Sequence, residues 1–280
     1  MATGVTVPGV RAHKVAAGRL PLVMVTAYDA PGARMVDEAG ADIVLVGDSL
    51  AMVVLGHDDT LQVGVADMAH HTAAVARTSP RALVVSDMPW LSYHLDAADT
   101  VANAGVLVRA GAAAVKLEGG RSRVPMVEAL VDAQIPVMGH LGLTPQSVNL
   151  MGGFKIQGRQ AEAAAKLADD ARSLVDAGVF AIVVEGVPAE VTAAVTAAVP
   201  VPTIGIGAGP HCDGQVLVLH DLLGLDDSLA PRFVRRYASL KAEGVKAVAA
   251  FAADVRSGDF PTHEESYHLA GPDQPVGDGG

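Results

Sequence analysis

The sequence has little of several residue types that mark other classes of protein. It contains a single cysteine, Cys212, in 280 residues, which excludes an internal disulfide and a zinc or iron–sulfur site built on a cysteine cluster. Aromatic residues make up only 4% of the chain, so Val, Leu, Ile and Ala must form the core. The first 20 residues lack the apolar segment of a secretory signal. We therefore expect a cytoplasmic protein in a reducing compartment.

Positive charge and long apolar segments are also scarce. The chain has 20 Lys and Arg residues against 31 Asp and Glu residues, which gives a net charge of −11. This balance argues against binding to nucleic acid or to an anionic membrane, because both need a basic surface. The most apolar stretch, Val191–Gly207, is interrupted by Pro200 and Pro202, which excludes a membrane-spanning helix there. An anionic small-molecule substrate would need a local cation.

The sequence does contain a repeated alternation of apolar runs and Ala-rich segments. The runs are short and almost continuous, as in strands buried on both faces of a parallel sheet. Eight such runs with helical segments between them predict a (β/α)8 barrel. An open doubly wound sheet is the alternative, but it usually has fewer strands and a glycine fingerprint after the first one. The runs are Leu22–Thr26, Asp42–Val46, Leu83–Ser86, Ala114–Leu117, Pro136–Gly139, Phe180–Val184, Pro202–Ile206 and Val216–Leu219.

The domain organisation follows from the absence of a linker. No stretch rich in Ser, Pro or Gly divides the central part of the chain, so we predict a single domain. Residues 1–20 are predicted as an N-terminal segment and residues 21–258 as the barrel, including a C-terminal helical segment over Pro231–Val255. Residues 259–280 are predicted as a C-terminal extension whose last part is flexible.

Carboxylates follow several of the predicted strands. In a barrel the C-terminal ends of the strands form the mouth where active sites lie. Each residue alone is as compatible with a helix cap or a turn, but the set favours a site. Converging carboxylates repel one another unless a cation lies among them, and oxygen ligands suit a hard cation such as Mg²⁺ or Mn²⁺. The carboxylates are Asp29, Asp48, Asp87, Glu118 and Glu185.

Three other polar residues lie near these strand ends. Lys116 precedes Glu118 by two positions, so both side chains point to the same face. It is interpreted either as a partner for a substrate carboxylate or the acidic cluster, or as a structural Lys–Glu salt bridge. A Schiff-base role is less attractive, because a Lys beside several carboxylates stays protonated. Ser49 is compatible with a turn hydroxyl, and His140 with a hydrogen-bonded structural residue.

Several longer strings resemble the ketopantoate hydroxymethyltransferase family. The resemblance extends in order over roughly residues 20–267, and the string GHLGLTPQSVN is the most specific part of it. The strings are Thr26–Asp29, Val46–Leu50, Val115–Gly120, Gly139–Asn149, Gly152–Arg159, Ile204–Gly209 with Asp213–Gln215, and Phe260–Pro261.

The resemblance implies a (β/α)8 barrel that depends on Mg²⁺ and works in pantothenate biosynthesis. A member would transfer a hydroxymethyl group from 5,10-methylenetetrahydrofolate to 3-methyl-2-oxobutanoate and give 2-dehydropantoate. Chelation of the keto acid by Mg²⁺ would stabilise the enolate formed when C3 loses its proton. The family forms large homo-oligomers, typically decamers.

The resemblance also assigns roles to residues. Asp48 and Asp87 match metal carboxylates, and Glu118 matches a further metal-associated carboxylate. Asp48, Ser49, Asp87 and Lys116 match groups that lie against the substrate or hold its carboxylate.

Glu185 matches the proton acceptor, and His140 is given a supporting role. Gly186 follows Glu185 where a bulkier residue is expected, which predicts a looser base. The rival enzyme is a Mg²⁺-dependent 2-oxo acid lyase or mutase of a related barrel family, which would not need folate. An inactive barrel that serves as a binding protein is disfavoured, because it has no reason to gather so many charges at one mouth.

Overall fold

The computed structural model describes residues 4–226 and 231–269. Within these ranges eight parallel strands form a closed barrel in sequence order, and β8 pairs with β1. This arrangement confirms the (β/α)8 barrel predicted from the sequence. The strands are β1 (Leu22–Thr26), β2 (Ile43–Val46), β3 (Leu83–Asp87), β4 (Ala114–Glu118), β5 (Val137–Gly142), β6 (Ala181–Glu185), β7 (Thr203–Ile206) and β8 (Gly214–Leu217).

Helices connect the strands and follow the barrel. In the described ranges they are α1 (Val7–Arg11), α2 (Ala30–Glu38), α3 (Leu50–Val53), α4 (Val65–Ala76), α5 (Ala97–Arg109), α6 (Val124–Asp132), α7 (Val148–Met151), α8 (Ala161–Asp176), α9 (Ala189–Ala198), α10 (Leu219–Leu223) and α11 (Leu240–Ser257). Short 3-10 turns occur at Val15–Ala17, Arg121–Arg123 and Pro145–Ser147. No helix of the described chain is both long and apolar enough to cross a membrane.

Alternate residues of each strand enter two different cores. In β2, Ile43 and Leu45 pack inside the barrel, whereas Val44 and Val46 pack outward into the core shared with the helices. Successive side chains of a strand point to opposite faces, so a strand buried on both faces must be apolar at every position. This requirement explains the continuous apolar runs of the sequence.

The same alternation carries polar side chains to the barrel mouth. Leu83 and Val85 of β3 lie inside the barrel, so Asp87, the last residue of β3, also faces inward. The inward positions near the ends of the next three strands are polar as well, and their side chains line one cavity. They are Lys116, Glu118, His140 and Glu185.

The N-terminal segment covers the opposite end of the barrel. Val10 of α1 is buried in the cluster inside the barrel. The Nζ atom of Lys14 lies 2.7 Å from Oδ2 of Asp213, and the backbone N–H of Val15 donates to Oδ1 of the same carboxylate at 2.9 Å. The barrel is thus packed at its N-terminal end and opens at the C-terminal end.

The chain after β7 differs from the sequence-based prediction. The strand predicted over Val216–Leu219 is Gly214–Leu217, and the helix predicted from Pro231 begins at Leu240. Residues 231–233 line the cavity instead, so packing at the barrel mouth overrides the local helical pattern. Residues 270–280, where a flexible end is predicted, lie outside the described residues.

Candidate active site

A cavity of about 910 Å³ opens at the C-terminal ends of the strands. This volume is in the range of pockets that hold ligands larger than a small keto acid. The structure brings most of the sequence-predicted site residues together on its lining, Ser49 among them. The charged residues at its floor are Asp48, Asp87, Lys116, Glu118, His140 and Glu185.

Asp29 is the strand-end carboxylate that does not line this cavity. Its Oδ1 atom accepts a hydrogen bond of 2.7 Å from the backbone N–H of Gly32 and caps the N-terminus of α2. Such a cap satisfies a backbone donor that the helix leaves without a partner. Asp221 of α10 lines the cavity instead.

Asp87 connects Asp48 to Lys116. The backbone N–H of Asp48 donates to Oδ2 of Asp87 at 3.1 Å, and Nζ of Lys116 lies 2.8 Å from Oδ1 of Asp87. Asp87 and Lys116 are paired residues of adjacent strands, which places their side chains next to each other. The buried lysine is therefore paired with Asp87 rather than with Glu118, its neighbour on β4.

Lys116 keeps its charge although it is buried. Burial lowers the pKa of its ammonium group, but the carboxylates of Asp87, Glu118 and Asp48 raise it further, so that the net shift is upward. A protonated amine is not a nucleophile. The surroundings of Lys116 thus favour binding of an anion over a Schiff base.

His140 lies between two carboxylates. Its Nδ1 atom is 3.2 Å from Oε1 of Glu118, and its Nε2 atom is 3.3 Å from Oε2 of Glu185. Burial and the charge of Lys116 lower the pKa of His140, but the hydrogen bonds to the two carboxylates outweigh them and raise it to about 9. An imidazolium ion at this position faces both carboxylates, and Nζ of Lys116 also lies 3.4 Å from its Nδ1 atom.

The floor of the cavity carries more negative than positive charge. The pKa of Asp48 is raised well above its usual range by burial, then by the charges of Asp87 and Glu118. In the described ranges no group of three or more His, Cys, Asp and Glu side chains has a geometry that would hold a metal ion. Both oxygens of Glu118 are also engaged, one by His140 and one by the backbone N–H of Gln146 at 3.0 Å.

Two tyrosines and a glutamine near the site were not predicted from the sequence. The hydroxyl of Tyr28 lies 2.8 Å from Oγ of Ser49, and burial raises its pKa. The hydroxyl of Tyr93 donates to Oε1 of Gln146. The side-chain Nε2 of Gln146 donates to Oδ2 of Asp48. Tyr28 and Gln146 stand in two of the strings that carry the family resemblance, and this was the available signal for them.

Gly186 holds a backbone conformation that other residues rarely adopt. Its φ is +56°, and a Cβ atom there would lie 3.1 Å from Cβ of Leu143. Glycine is favoured where φ is positive, and the backbone N–H of Gly186 donates to the carbonyl of Ile206 at 2.9 Å. The glycine therefore fits a defined turn after Glu185, and the looseness expected from the sequence has no counterpart in these contacts.

Apolar side chains form the outer wall of the cavity. Phe154 and Ile156 are each 51% exposed and Phe233 is 40% exposed, and all three line the cavity together with Arg232. A Cβ atom at Gly207, where φ is +60°, would lie 2.9 Å from Cδ1 of Phe233. Part of the glycine run after β7 thus makes room for this aromatic ring.

The fold and the site together define a class of protein. A closed parallel barrel with buried carboxylates, a lysine and a histidine at its C-terminal mouth has the architecture of a (β/α)8-barrel enzyme. The chain belongs to the ketopantoate hydroxymethyltransferase family, whose model matches residues 5–263.

Curated relatives cover almost the whole chain. A protein of Methylobacterium sp. (strain 4-46) is 58% identical over 94% of this chain and 91% of its own length. A protein of Moorella thermoacetica is 55% identical over 94% of this chain and 97% of its own length. Both bear the name 3-methyl-2-oxobutanoate hydroxymethyltransferase.

More distant solved structures share the fold. A 2,3-dimethylmalate lyase of the PEP mutase/isocitrate lyase superfamily has a TM-score of 0.59 at 19% identity, covering 95% of this chain and 92% of that one. A phosphonopyruvate hydrolase in complex with oxalate and Mg²⁺ has a TM-score of 0.58 at 15% identity, covering 92% of each chain. At these identities the likeness concerns the barrel alone.

Proposed function

We propose that the protein transfers a hydroxymethyl group from 5,10-methylenetetrahydrofolate to 3-methyl-2-oxobutanoate. The product would be 2-dehydropantoate, and the reaction the first committed step of pantothenate biosynthesis, which leads to coenzyme A. The observation that carries the proposal is a buried cation, Lys116, in the same cavity as the carboxylate of Glu185, in a chain of this family. The keto acid has a carboxylate that needs a cation and a C3 proton that needs a base.

Lys116 and Ser49 would bind the carboxylate of the keto acid. Lys116 is 4% exposed and keeps its charge, and a charged donor in a buried site forms stronger hydrogen bonds than it would in water. The ammonium group of Lys116 is especially important because the protein has a net charge of −11 and otherwise repels anions. The hydroxyl contact from Tyr28 would orient Ser49.

Two carboxylates of the cavity would hold a divalent cation together with waters and substrate. Asp48 and Asp87 offer carboxylate oxygens. The pKa of Asp48 is raised by burial and then by the charges of Asp87 and Glu118, which means that the nearby cations do not fully compensate these carboxylates. Mg²⁺ is usually held by one or two protein carboxylates together with waters and substrate, so we assign it to Asp48 and Asp87. Glu118 would be associated with the site through His140 and Gln146. A bound Mg²⁺ would supply Lewis-acid stabilisation of the enolate.

Glu185 would accept the C3 proton. Its side chain is 17% exposed and lies at the cavity surface, with Oε2 held against His140. A base must lie within hydrogen-bond reach of the proton that it removes, and the contact with His140 limits the rotation of this carboxylate. The methylene carbon of the folate would then gain a bond to C3 and a bond to the oxygen of a water molecule. Its two C–N bonds would break, and tetrahydrofolate would leave with two protons, one from C3 through Glu185 and one from the water.

The outer wall would bind the folate co-substrate. A small keto acid leaves most of a 910 Å³ cavity unfilled. The exposed faces of Phe154 and Phe233 offer stacking partners for a flat pterin ring. Arg232, also on the lining, suits the anionic glutamate end of a folate.

A Mg²⁺-dependent 2-oxo acid lyase or mutase is the alternative. It would use the same lysine and carboxylates, and the barrel resembles such proteins in fold. It would not need the apolar wall at the outer end of the cavity. Dependence on folate therefore separates the two functions.

Exchange of the C3 proton tests the proposal. The protein is incubated with 3-methyl-2-oxobutanoate and Mg²⁺ in D2O, and the C3 signal is followed by NMR. We expect Mg²⁺-dependent loss of the signal, and formation of 2-dehydropantoate after 5,10-methylenetetrahydrofolate is added. Exchange without product after that addition would favour the lyase or mutase. If no exchange is seen without folate, the assay is repeated with tetrahydrofolate. If the folded protein still shows no exchange, the keto acid is not its substrate.

We also propose that the protein is a homo-oligomer, a decamer by family resemblance. One side of α11 carries apolar residues that are between 47% and 68% exposed, and a continuous patch of this kind is typical of a protein–protein interface. These residues are Val245, Val248, Phe251 and Val255. The cytoplasmic location stays a prediction.

A further inference from the structure

Gln146 is a buried polar residue that joins the carboxylates of two strands. It is 6% exposed. Its backbone N–H donates to Oε2 of Glu118 at 3.0 Å. Its side-chain Nε2 donates to Oδ2 of Asp48 at 2.8 Å and to the carbonyl of Met88 at 2.9 Å. One residue thus contacts both carboxylates, from its backbone and from its side chain.

Tyr93 determines which way the amide of Gln146 points. The Tyr93 hydroxyl accepts a hydrogen bond of 3.2 Å from the backbone N–H of Glu118, which leaves its single proton for Oε1 of Gln146 at 2.5 Å. The carbonyl of Met88 can only accept. Both neighbours therefore require the amide nitrogen of Gln146 to face Asp48.

A fixed donor at this position has a specific electrostatic consequence. Asp48 and Glu118 repel each other, and each raises the cost of ionising the other. An amide N–H that donates to Asp48 favours its charged form, which is the form that binds a cation. Gln146 does not line the cavity, so it acts on the site through the carboxylates.

We propose that Gln146 is a positioning residue that sets the orientation of Asp48 relative to Glu118, and that Tyr93 fixes the amide orientation of Gln146. This inference rests on the proposed function in so far as Asp48 binds Mg²⁺. Residues that orient metal ligands in this way typically change metal affinity by about 10- to 100-fold when they are replaced.

Gln146→Met is the most informative variant. It keeps a long unbranched side chain and the backbone N–H to Glu118, and it removes the amide that contacts Asp48. The Tyr93 hydroxyl loses its acceptor, which destabilises the fold. A lower melting temperature alone would thus not support the proposal. Gln134→Met is the matched control, because Gln134 is exposed and precedes β5 at the opposite end of the barrel.

The test measures binding of Mg²⁺ alone by calorimetry, together with crystal structures of the metal-free proteins. We expect Gln146→Met to bind Mg²⁺ about 10- to 100-fold more weakly, with Asp48 in a different rotamer. Tyr93→Phe should weaken binding less, and should have little additional effect in the Gln146→Met background. Gln134→Met should equal the wild type.

The outcomes separate this inference from the proposed function. Wild-type affinity in Gln146→Met, or an Asp48 carboxylate that stays in place without the amide, would overturn the role of Gln146. Fully additive effects of the Tyr93 and Gln146 variants would overturn the role of Tyr93. A wild-type protein that binds no Mg²⁺ would refute the metal assignment, and the Asp48 rotamer in the Gln146→Met crystal would still decide the positioning role.

Discussion

The Nε2 atom of His140 lies 3.3 Å from Oε2 of Glu185, the carboxylate to which we assign proton abstraction. The other ring nitrogen of His140 faces Glu118. A neutral imidazole has one N–H and can donate to only one of these carboxylates, whereas an imidazolium ion donates to both. The pKa of His140 is raised although the ammonium group of Lys116 lies 3.4 Å from Nδ1, which favours a charged ring beside Glu185 rather than a free base.

The first prediction concerns the protonation of His140. In the metal-free protein we expect its ring to titrate at a pKa of about 9, because the two hydrogen-bonded carboxylates outweigh burial and the charge of Lys116. NMR of the ring protons measures this value, with His140→Gln to assign the signal. Glu185→Gln removes one anionic partner and should lower the pKa. A ring that titrates below its ordinary pKa would contradict the double contact.

The same shift predicts how stability depends on pH. The pKa of His140 is raised from 6.5 to about 9 on folding, so its contribution is fully present below pH 6.5 and is lost as the pH rises through 9. By linkage the loss is at most about 3 kcal/mol. Denaturant unfolding of the metal-free protein at pH 6.5 and at pH 9 measures this loss. The difference in free energy of unfolding between wild type and His140→Gln should be smaller at pH 9 than at pH 6.5.

The second prediction concerns Glu185. Glu185→Gln should still bind the keto acid and Mg²⁺, because Lys116, Asp48 and Asp87 are intact. Proton exchange at C3 should fall by roughly 10²- to 10⁴-fold, the usual contribution of a general base. NMR exchange and calorimetry measure the two effects separately. Glu190→Gln, an exposed change in the first turn of α9, is the control. Normal exchange in Glu185→Gln would transfer the base role to His140.

The third prediction concerns Asp87. Asp87→Ala should abolish Mg²⁺-dependent turnover while the fold is retained. Lys116 loses its partner at 2.8 Å, and breaking this buried ion pair should lower the free energy of unfolding by about 3 kcal/mol. Asp29→Ala is the control, because Asp29 caps α2 and should cost only about 1 kcal/mol. Turnover assays measure the activity of both variants, and denaturant unfolding measures their stability. Unchanged activity in Asp87→Ala would refute the metal assignment.

The sequence predicted the charged floor of the cavity because strand periodicity determines it. Lys116 and Glu118 are two residues apart on β4, so one inward side chain implies the other. Parallel strands also end at the same mouth, which brings Asp87 and Glu185 to this cavity. Asp29 has the same position in the sequence pattern but caps a helix, and the pattern does not distinguish these two uses.

The contacts of Gln146 and Phe233 depend on loops, and no short-range pattern predicts them. Gln146 reaches Asp48 across 98 positions of the chain. Phe233 stands in a segment with a helical pattern, yet it lies close to Gly207 and lines the cavity. Such contacts form only once the barrel has closed. The family resemblance points to Gln146, which stands in one of the matching strings, but not to Phe233.

The fourth prediction tests the outer wall. Gly207→Ala would place a methyl group 2.9 Å from Phe233 in a backbone with φ of +60°, and should displace the aromatic ring. We expect this variant and Phe233→Ala to raise KM for 5,10-methylenetetrahydrofolate by about 5-fold, in line with a stacking contribution of about 1 kcal/mol. Steady-state kinetics measures this change.

Exchange of the C3 proton without folate should be unchanged in both variants. Trp90→Ala is the control, because Trp90 is 42% exposed and is not part of the cavity lining. An equal rise in KM for the keto acid and for the folate would show that the wall supports the whole cavity rather than the folate alone.

The fifth prediction tests the apolar side of α11. Val248 is 68% exposed and lies one turn from Val245, so Val248→Lys puts a charge in the middle of the patch. We expect the assembly to dissociate toward the 28.5 kDa monomer, because burying an unpaired ammonium group is costly. Sedimentation velocity measures the change. Lys246→Gln changes the opposite side of the helix and should leave the assembly intact; a monomeric wild type would refute the oligomer.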